Sequence, residues 1–234
     1  MKFSFVPNPF NIEILGKKSG RLVYAGRVTE SAVRGALAGA QRGGYRFLDV
    51  VPREEERWTV EAMIRGGFDL VGILVEFSRR LDKGVIARPH AACRLIRAGD
   101  RRAVVKTGVE FTDDRYSQDP RIGRKAACRL FKRWIENSID GRSDFIYVHQ
   151  GAFCACFIRK DDGVGVIDLI GVPRNLQGRG IGISLVLASL AEFKKRGCKR
   201  TIVKTAGTNA AAMRSYAICG YDPSILYYAL HWHG

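Results

Sequence analysis

The chain has 234 residues, 46% of them hydrophobic, which is enough for one or two buried cores. Its formal net charge of +16 directs attention to anionic partners: nucleic acid, acidic lipid or phosphorylated metabolites. The basic residues are scattered, with no Lys/Arg block of five, and no apolar run is long enough to span a bilayer.

In chain order, residues 1–20 read as a lead-in with a strand at 11–15. Thr29 or Ser31 caps a helix to about Arg42, which Gly43 and Gly44 end. A strand follows at 47–51, a helix at 54–64 and a strand at 70–77, and Asp82-Lys83-Gly84 reads as a boundary. A strand is expected at 85–87, a helix at 90–98 and a loop over 107–121. Ala127, Phe131, Trp134, Ile135 and Ile139 then recur at helical spacing. Strands follow at 145–148, 152–158 and 164–172. The order ends with a helix at 183–193, a strand at 201–204, a helix at 210–218 and a strand at 225–232.

Two stretches repeat at a constant offset. Gly44-Tyr45-Arg46 and Gly67-Phe68-Asp69 bracket a strand and a helix. Gly197-Cys198-Lys199 and Gly220-Tyr221-Asp222 bracket another such pair, and both 197 − 44 and 220 − 67 give 153. Residues 21–81 thus read as a partial copy of the C-terminal half. Met63 stands where the second copy has Tyr216, and Glu56 where it has Asn209.

The six cysteines form no C-x-x-C, and no histidine has zinc-finger spacing, so no metal site is expected and a reducing cytoplasm is. Met1 to Pro7 has no long apolar region, so no leader is expected.

Between the strand at 166–172 and the helix at 183–193 lies Gln177-Gly178-Arg179-Gly180-Ile181-Gly182. Glycines there let a backbone turn tightly and approach a ligand closely. A helix beginning at such a turn presents unpaired N–H groups and a positive dipole end, which suits phosphate. There is no Gly-Lys-Ser/Thr for a P-loop, and the glycine spacing is not that of a dinucleotide fingerprint. Q-x-x-G-x-G after a strand resembles the acetyl-CoA signature of the GNAT N-acetyltransferases. Asn209, Ala212, Tyr216, Gly220 and Tyr221 match that family's second signature, so the resemblance covers residues 85–234.

The resemblance implies an α+β GNAT fold: a mixed, mostly antiparallel sheet flanked by helices and splayed between the strands at 166–172 and 201–204. An N-terminal half-GNAT α/β domain over 1–83 would precede a catalytic domain over 84–234. It implies acetyl-CoA as co-substrate, held by Gln177 to Gly182, by backbone amides near Ile170 and Val172, by Asn209 and by Tyr216. Gly171 is the permissive point for a bulge that parts the strands. Tyr216 is the expected general acid, since a hydroxyl near the sulfur can protonate a departing thiolate. Asp168 is a candidate base beside the acetyl group, with Glu110, Asp113, Asp114, His149 or a water relay as alternatives.

Residues 114–122, from Asp114-Arg115-Tyr116 to Asp119-Pro120-Arg121-Ile122, and Trp134-Ile135-Glu136-Asn137-Ser138 are similar to the TDP-fucosamine acetyltransferase group. That narrower resemblance implies an amine acceptor on a nucleotide sugar for polysaccharide biosynthesis, bound by Arg115, Tyr116, Asp119 and Arg121. With no long apolar segment and a scattered positive charge, no membrane partner is expected, nucleic acid is disfavoured and a homodimer is left open. Protein amines or polyamines are the second reading of the acceptor, and a non-catalytic basic RNA-binding protein is the third.

Overall fold

The computed structural model describes residues 2–82, 86–89, 92–108 and 114–234. The chain forms two compact units that interleave along the sequence. One comprises Met1–Leu74, Asp113–Leu130 and Ile225–Gly234, and the other Val75–Thr112 and Phe131–Ser224. Among the described residues, no helix is long and apolar enough to cross a membrane.

In the first unit, β1 (Lys2–Pro7) pairs antiparallel with β2 (Ser19–Ala25), and β2 runs parallel to β3 (Phe47–Val50). The last strand, β10 (Asp222–His233), adds antiparallel to β3 through Leu230 to His233. The stretch 11–15 is not a strand but part of helix α1 (Pro9–Leu15). Local caps decide this: Asn8 accepts from the Asn11 amide, Pro9 fits the first turn, and Gly16 at φ 65 ends it. Helices α2 (Glu30–Arg42) and α3 (Arg57–Gly66) bury Val33, Leu37, Val60 and Met63 against Leu22, Leu48, Val50, Leu230 and Trp232. The expected helix at 54–64 therefore starts late, after one 3₁₀ turn at Glu54–Glu56. Strand alternation puts Asp49 and His231 on the opposite face, and both are buried.

In the second unit the strand order is β4 (Asp69–Arg80), β9 (Arg200–Ala206), β8 (Gly165–Gly171), β7 (Ala152–Ile158), β6 (Phe145–His149) and β5 (Arg94–Leu95). Neighbours from β5 to β8 are antiparallel, and β8–β9 is parallel. Helices α7 (Ile181–Lys195) and α8 (Ala210–Ile218) cover one face, with Leu185, Leu190, Phe193 and Tyr216 packed on Cys154, Cys156 and Ile167. On the other face, Val104 from α4 (Arg101–Gly108) and Phe131 and Ile135 from α6 (Gly123–Asn137) meet Ile146, Val148, Phe153 and Leu169.

The region before α4 departs from expectation. Residue 85 and residues 90–91 lie outside the described residues, and Ile86–Ala87 form no strand. Arg94 and Leu95 form β5 rather than a helix. The helix begins only at Arg101, after Asp100 has taken bonds from Arg94 at 2.7 and 2.8 Å and from the Arg97 amide. The loop expected over 107–121 contains helix α5 (Arg115–Gln118), started by the Asp114 side chain accepting from the Tyr116 and Ser117 amides.

The offset of 153 reappears in the element boundaries. Adding it to 42, 47 and 57, where α2 ends and β3 and α3 begin, gives 195, 200 and 210, where α7 ends and β9 and α8 begin. Strand β4 at 69–80 maps onto β10 at 222–233. The closing strands are exchanged: β10 extends the sheet of β3, and β4 neighbours β9. That exchange makes the compact units discontinuous in sequence, where a single boundary near residue 83 was expected.

Candidate active site

The β8–β9 ladder is the architectural feature on which the site depends. It registers Gly165 with Thr201, Val166 with Ile202 and Ile167 with Val203, and then ends. Strand β8 continues to Gly171 and β9 to Ala206. The cause lies on the other side of β8. Ala155 pairs with Leu169 and Cys156 with Ile167, so Asp168 is the extra residue of a bulge. A bulge bends its strand and increases the local twist. It falls at Asp168, while Gly171, the expected place, pairs regularly with Phe153.

From the end of β8 the chain passes Val172, whose carbonyl accepts from Gln177 Nε2 at 3.1 Å, and enters the glycine loop. Gly178 and Gly180 both have φ near 73, and a Cβ built on either meets no atom within 4 Å. Positive φ and open space together mark a backbone exposed to whatever enters the loop. Gly182 has only Val172 at 3.6 Å. Helix α7 starts at Ile181 with Gly180 as its N-cap, and among the described residues no side chain caps its first amides. Those free donors and the exposed Arg179 suit a phosphate group. The loop, the uncapped helix and the parted strands fit coenzyme A.

Asn209 is the N-cap of α8, its Oδ1 accepting from the Ala212 amide at 3.1 Å. Two turns on, Tyr216 is buried, with the Phe77 ring at 5.7 Å and Tyr221 at 6.0 Å. Burial first, then the neighbouring Cys154 and Cys219 thiols, push its hydroxyl well above the ordinary tyrosine range. It therefore holds its proton at neutral pH. Cys219 is likewise pushed up to about 12, chiefly by burial. Cys154 and Cys156 lie with their sulfurs 3.7 Å apart in the same core, and all six cysteines are free.

Asp168 is heavily engaged. Its Oδ2 accepts from Trp134 Nε1 at 2.9 Å and from Arg142 Nε at 3.1 Å, and its Oδ1 from Arg142 Nη2 at 3.3 Å. Among the other candidate bases, His149 Nδ1 lies 2.9 Å from the Ala92 carbonyl. Asp114 caps α5, and Glu110 and Asp113 fall outside the described residues.

The four candidate acceptor residues belong to the first unit. Arg115 contacts the Asp49 carboxylate at 3.6 Å and donates to the Tyr116 hydroxyl at 3.0 Å, with its side chain only 16% exposed. Asp119 Oδ2 lies 2.6 Å from His231 Nδ1 and 2.8 Å from His233 Nε2. Burial opposes ionisation of Asp119, yet the two imidazoles and the Arg121 amide hold its carboxyl below the usual range. Arg121 is half exposed and pairs with Asp69 at 3.0 Å. Sequence reading missed Asp49, Arg142, His231 and His233. Only His-x-His at alternate strand positions offered a signal for any of them.

The acetyltransferase (GNAT) family model matches residues 114–221. The chain is similar to the spore coat polysaccharide biosynthesis protein SpsD of Bacillus subtilis (strain 168), 33% identical over 145 residues. That match covers 58% of this chain and 49% of the relative, so the chain spans about half the length of that protein. A mycothiol acetyltransferase of Saccharopolyspora erythraea is 34% identical over 55 residues, 24% of this chain and 18% of its own length. Among solved structures, a GCN5-related N-acetyltransferase from Sphaerobacter thermophilus superimposes with a TM-score of 0.67 at 17% identity. That likeness covers 99% of this chain and 76% of the other. It shows the fold, which is the GNAT fold.

Proposed function

We propose that this chain, which belongs to the acetyltransferase (GNAT) family over residues 114–221, transfers acetyl from acetyl-CoA to the primary amine of a nucleotide-linked amino sugar. The observation that carries the reading is the open glycine loop at the head of α7, following a strand whose ladder to β9 ends at Ile167. When bound, acetyl-CoA supplies an activated thioester carbonyl and a thiol leaving group. Amides of Gln177 to Gly182 and the uncapped start of α7 hold its pyrophosphate, with Arg179 adding charge. Backbone groups of Ile170 and Val172 line the gap between β8 and β9 and bond the pantetheine arm. Asn209 sets the start of α8 and so the place of Tyr216, which keeps a proton for the departing sulfur. Asp168 enters as a positioning group, because Trp134 and Arg142 already occupy its carboxylate.

The nucleotide sugar is supported by the patterns at Asp114–Ile122 and Trp134–Ser138, by the charge of +16, and by a similar protein named for polysaccharide biosynthesis. Arg121 is the cation accessible to a diphosphate. Arg115, Tyr116 and Asp119 lie beneath the surface and shape the segment that carries it. The N-terminal copy lacks the glycine loop and serves shape rather than chemistry. Six free thiols suit a cytoplasmic setting.

The test is thiol release from acetyl-CoA with a panel of TDP- and UDP-linked amino sugars, peptides and polyamines. Turnover is expected with at least one nucleotide sugar. Efficient turnover of peptides or polyamines with every sugar inert would overturn the acceptor. Steeply salt-dependent RNA binding without thiol release would overturn catalysis.

A further inference from the structure

We propose that Asp119, His231 and His233 bind one divalent transition-metal ion of the zinc class. Asp119 Oδ2 lies 2.6 Å from His231 Nδ1 and 2.8 Å from His233 Nε2, and the three ligand atoms all fall within 4.8 Å of one another. Ligands about 2.1 Å from a tetrahedral ion stand roughly 3.4 Å apart, so the two Asp119 contacts have to lengthen by under about 1 Å while the two imidazole nitrogens draw together by at most about 1.4 Å. All three side chains are at most 9% exposed.

The placement is built into the chain. His231 and His233 alternate along β10, so both imidazoles leave the same face of the sheet, and pairing with β3 fixes that strand. Asp119 precedes Pro120, which confines it to extended backbone, here φ −81 and ψ 110, and its Oδ1 accepts from the Arg121 amide at 2.9 Å.

A second observation points to a cation. Among the described residues, His231 Nε2 and Asp49 Oδ1 are both buried without a hydrogen-bond partner, and these two residues are direct cross-strand neighbours. With the His231 proton on Nδ1 toward Asp119, both orphan atoms are acceptors. A metal at Nδ1 removes that proton, and the neutral imidazole then carries its hydrogen on Nε2, which turns one of the two orphan acceptors into a donor. A ligating histidine backed by a carboxylate is a recurrent metal-site arrangement. Two imidazoles and one carboxylate favour zinc, cobalt or iron(II) over magnesium or calcium.

The charges around the set are largely matched. Arg21 at 3.3 Å and Arg115 at 3.6 Å pair with Asp49, and Arg121 pairs with Asp69. Lys17 is the opposing group, with Nζ 3.3 Å from His233 Nδ1. Its flexible stem has to swing aside, so Lys17→Ala should tighten the site.

The experiment uses the full chain, stripped with chelator and titrated with ZnCl2 by calorimetry and with CoCl2 by visible absorption. One ion per chain is expected, with a cobalt spectrum of nitrogen and oxygen ligands. His233→Gln and Asp119→Asn should weaken binding at least tenfold, and Lys17→Ala should strengthen it. The cobalt spectrum of the unmodified protein reports the ligand set whether or not the variants fold. Sulfur-to-cobalt charge transfer, sub-stoichiometric binding, or unchanged affinity in folded ligand variants would overturn the site. A metal-free His231 bridging Asp119 and Asp49 as an imidazolium, seen by nitrogen NMR in zinc-saturating buffer, would do the same.

Discussion

The indole of Trp134 donates to Asp168 at 2.9 Å, and Asp168 is the residue that β8 inserts opposite Ala155 and Cys156. Helix α6 and the residue at Arg142 thus hold the bulge whose far side faces the end of the β8–β9 ladder. Asp168→Asn keeps an acceptor for Trp134 and removes the ionic partner of the half-exposed Arg142. Stability should fall by about 1 kcal/mol, and by about 1–3 kcal/mol in Asp168→Ala, where the half-buried indole loses its bond to the carboxylate. Denaturant midpoints measure this. Acetyl-CoA affinity should weaken in both, while the acid limb of the pH–rate profile stays in place. Loss of that limb in Asp168→Asn would make the residue the base after all.

Gly180 tests the cofactor loop. Gly180→Ala forces a Cβ into αL backbone, at about 1–2 kcal/mol, and into the open space of the loop. Gly163→Ala is the control, since its φ of 66 and empty surroundings match, in a hairpin turn outside the glycine loop. Both should destabilise equally. Only Gly180→Ala should weaken coenzyme A binding tenfold or more, about 1.4 kcal/mol by calorimetry.

Tyr216→Phe removes the hydroxyl and keeps the ring between Phe77 and Tyr221. The turnover constant should drop on the order of 10²-fold with little change in acetyl-CoA KM. Equal turnover would leave Tyr216 as a packed aromatic alone.

The second unit was legible because its elements are long, periodic and bounded by glycines: α7, β7 and β8 lie within a few residues of expectation. The repeat was legible for the same reason, as Gly44 and Gly67 stand 153 residues before Gly197 and Gly220. Helix α1 was misread because Ile12 and Ile14 alternate like a strand, while Asn8, Pro9 and Gly16 settle the matter locally. The buried Asp49–His231 pair was invisible for a different reason. It depends on β10 crossing to β3, a pairing 182 residues apart (231 − 49), which no local pattern encodes. The bulge at Asp168 likewise depends on the register with β7 and not on any residue type in β8.

Alkaline pH should unfold the protein. Burial raises the hydroxyls of Tyr216 and Tyr221, and burial with Glu56 raises that of Tyr24, all above the ordinary 10.0. Above about pH 10 the unfolded chain ionises these groups while the folded chain keeps their protons. The folded state then binds more protons, so stability is intact below that pH and falls as pH rises through it. Guanidinium midpoints between about pH 8 and 11 should show the decline, and Tyr216→Phe should lessen it.

Arg115 and Arg121 should separate fold from acceptor binding. Arg115 sits 16% exposed against an Asp49 carboxylate that is fully buried and also pairs with Arg21 at 3.3 Å. Arg115→Ala leaves the buried Asp49 carboxylate with Arg21 and empties the place of a largely buried guanidinium, so it should cost about 1–3 kcal/mol. Arg115→Lys restores the charge but not the planar fork, and should recover only part of that loss. Arg121 pairs with Asp69 in water, with both side chains about half exposed, so Arg121→Ala should cost under about 1 kcal/mol. A guanidinium that is cheap to remove for the fold is free to serve a diphosphate bidentately. Arg121→Ala should therefore raise KM for the nucleotide sugar several-fold and leave that for acetyl-CoA unchanged. If Arg121→Ala leaves sugar KM untouched while a folded Arg115→Lys raises it, the acceptor is read by the buried arginine instead.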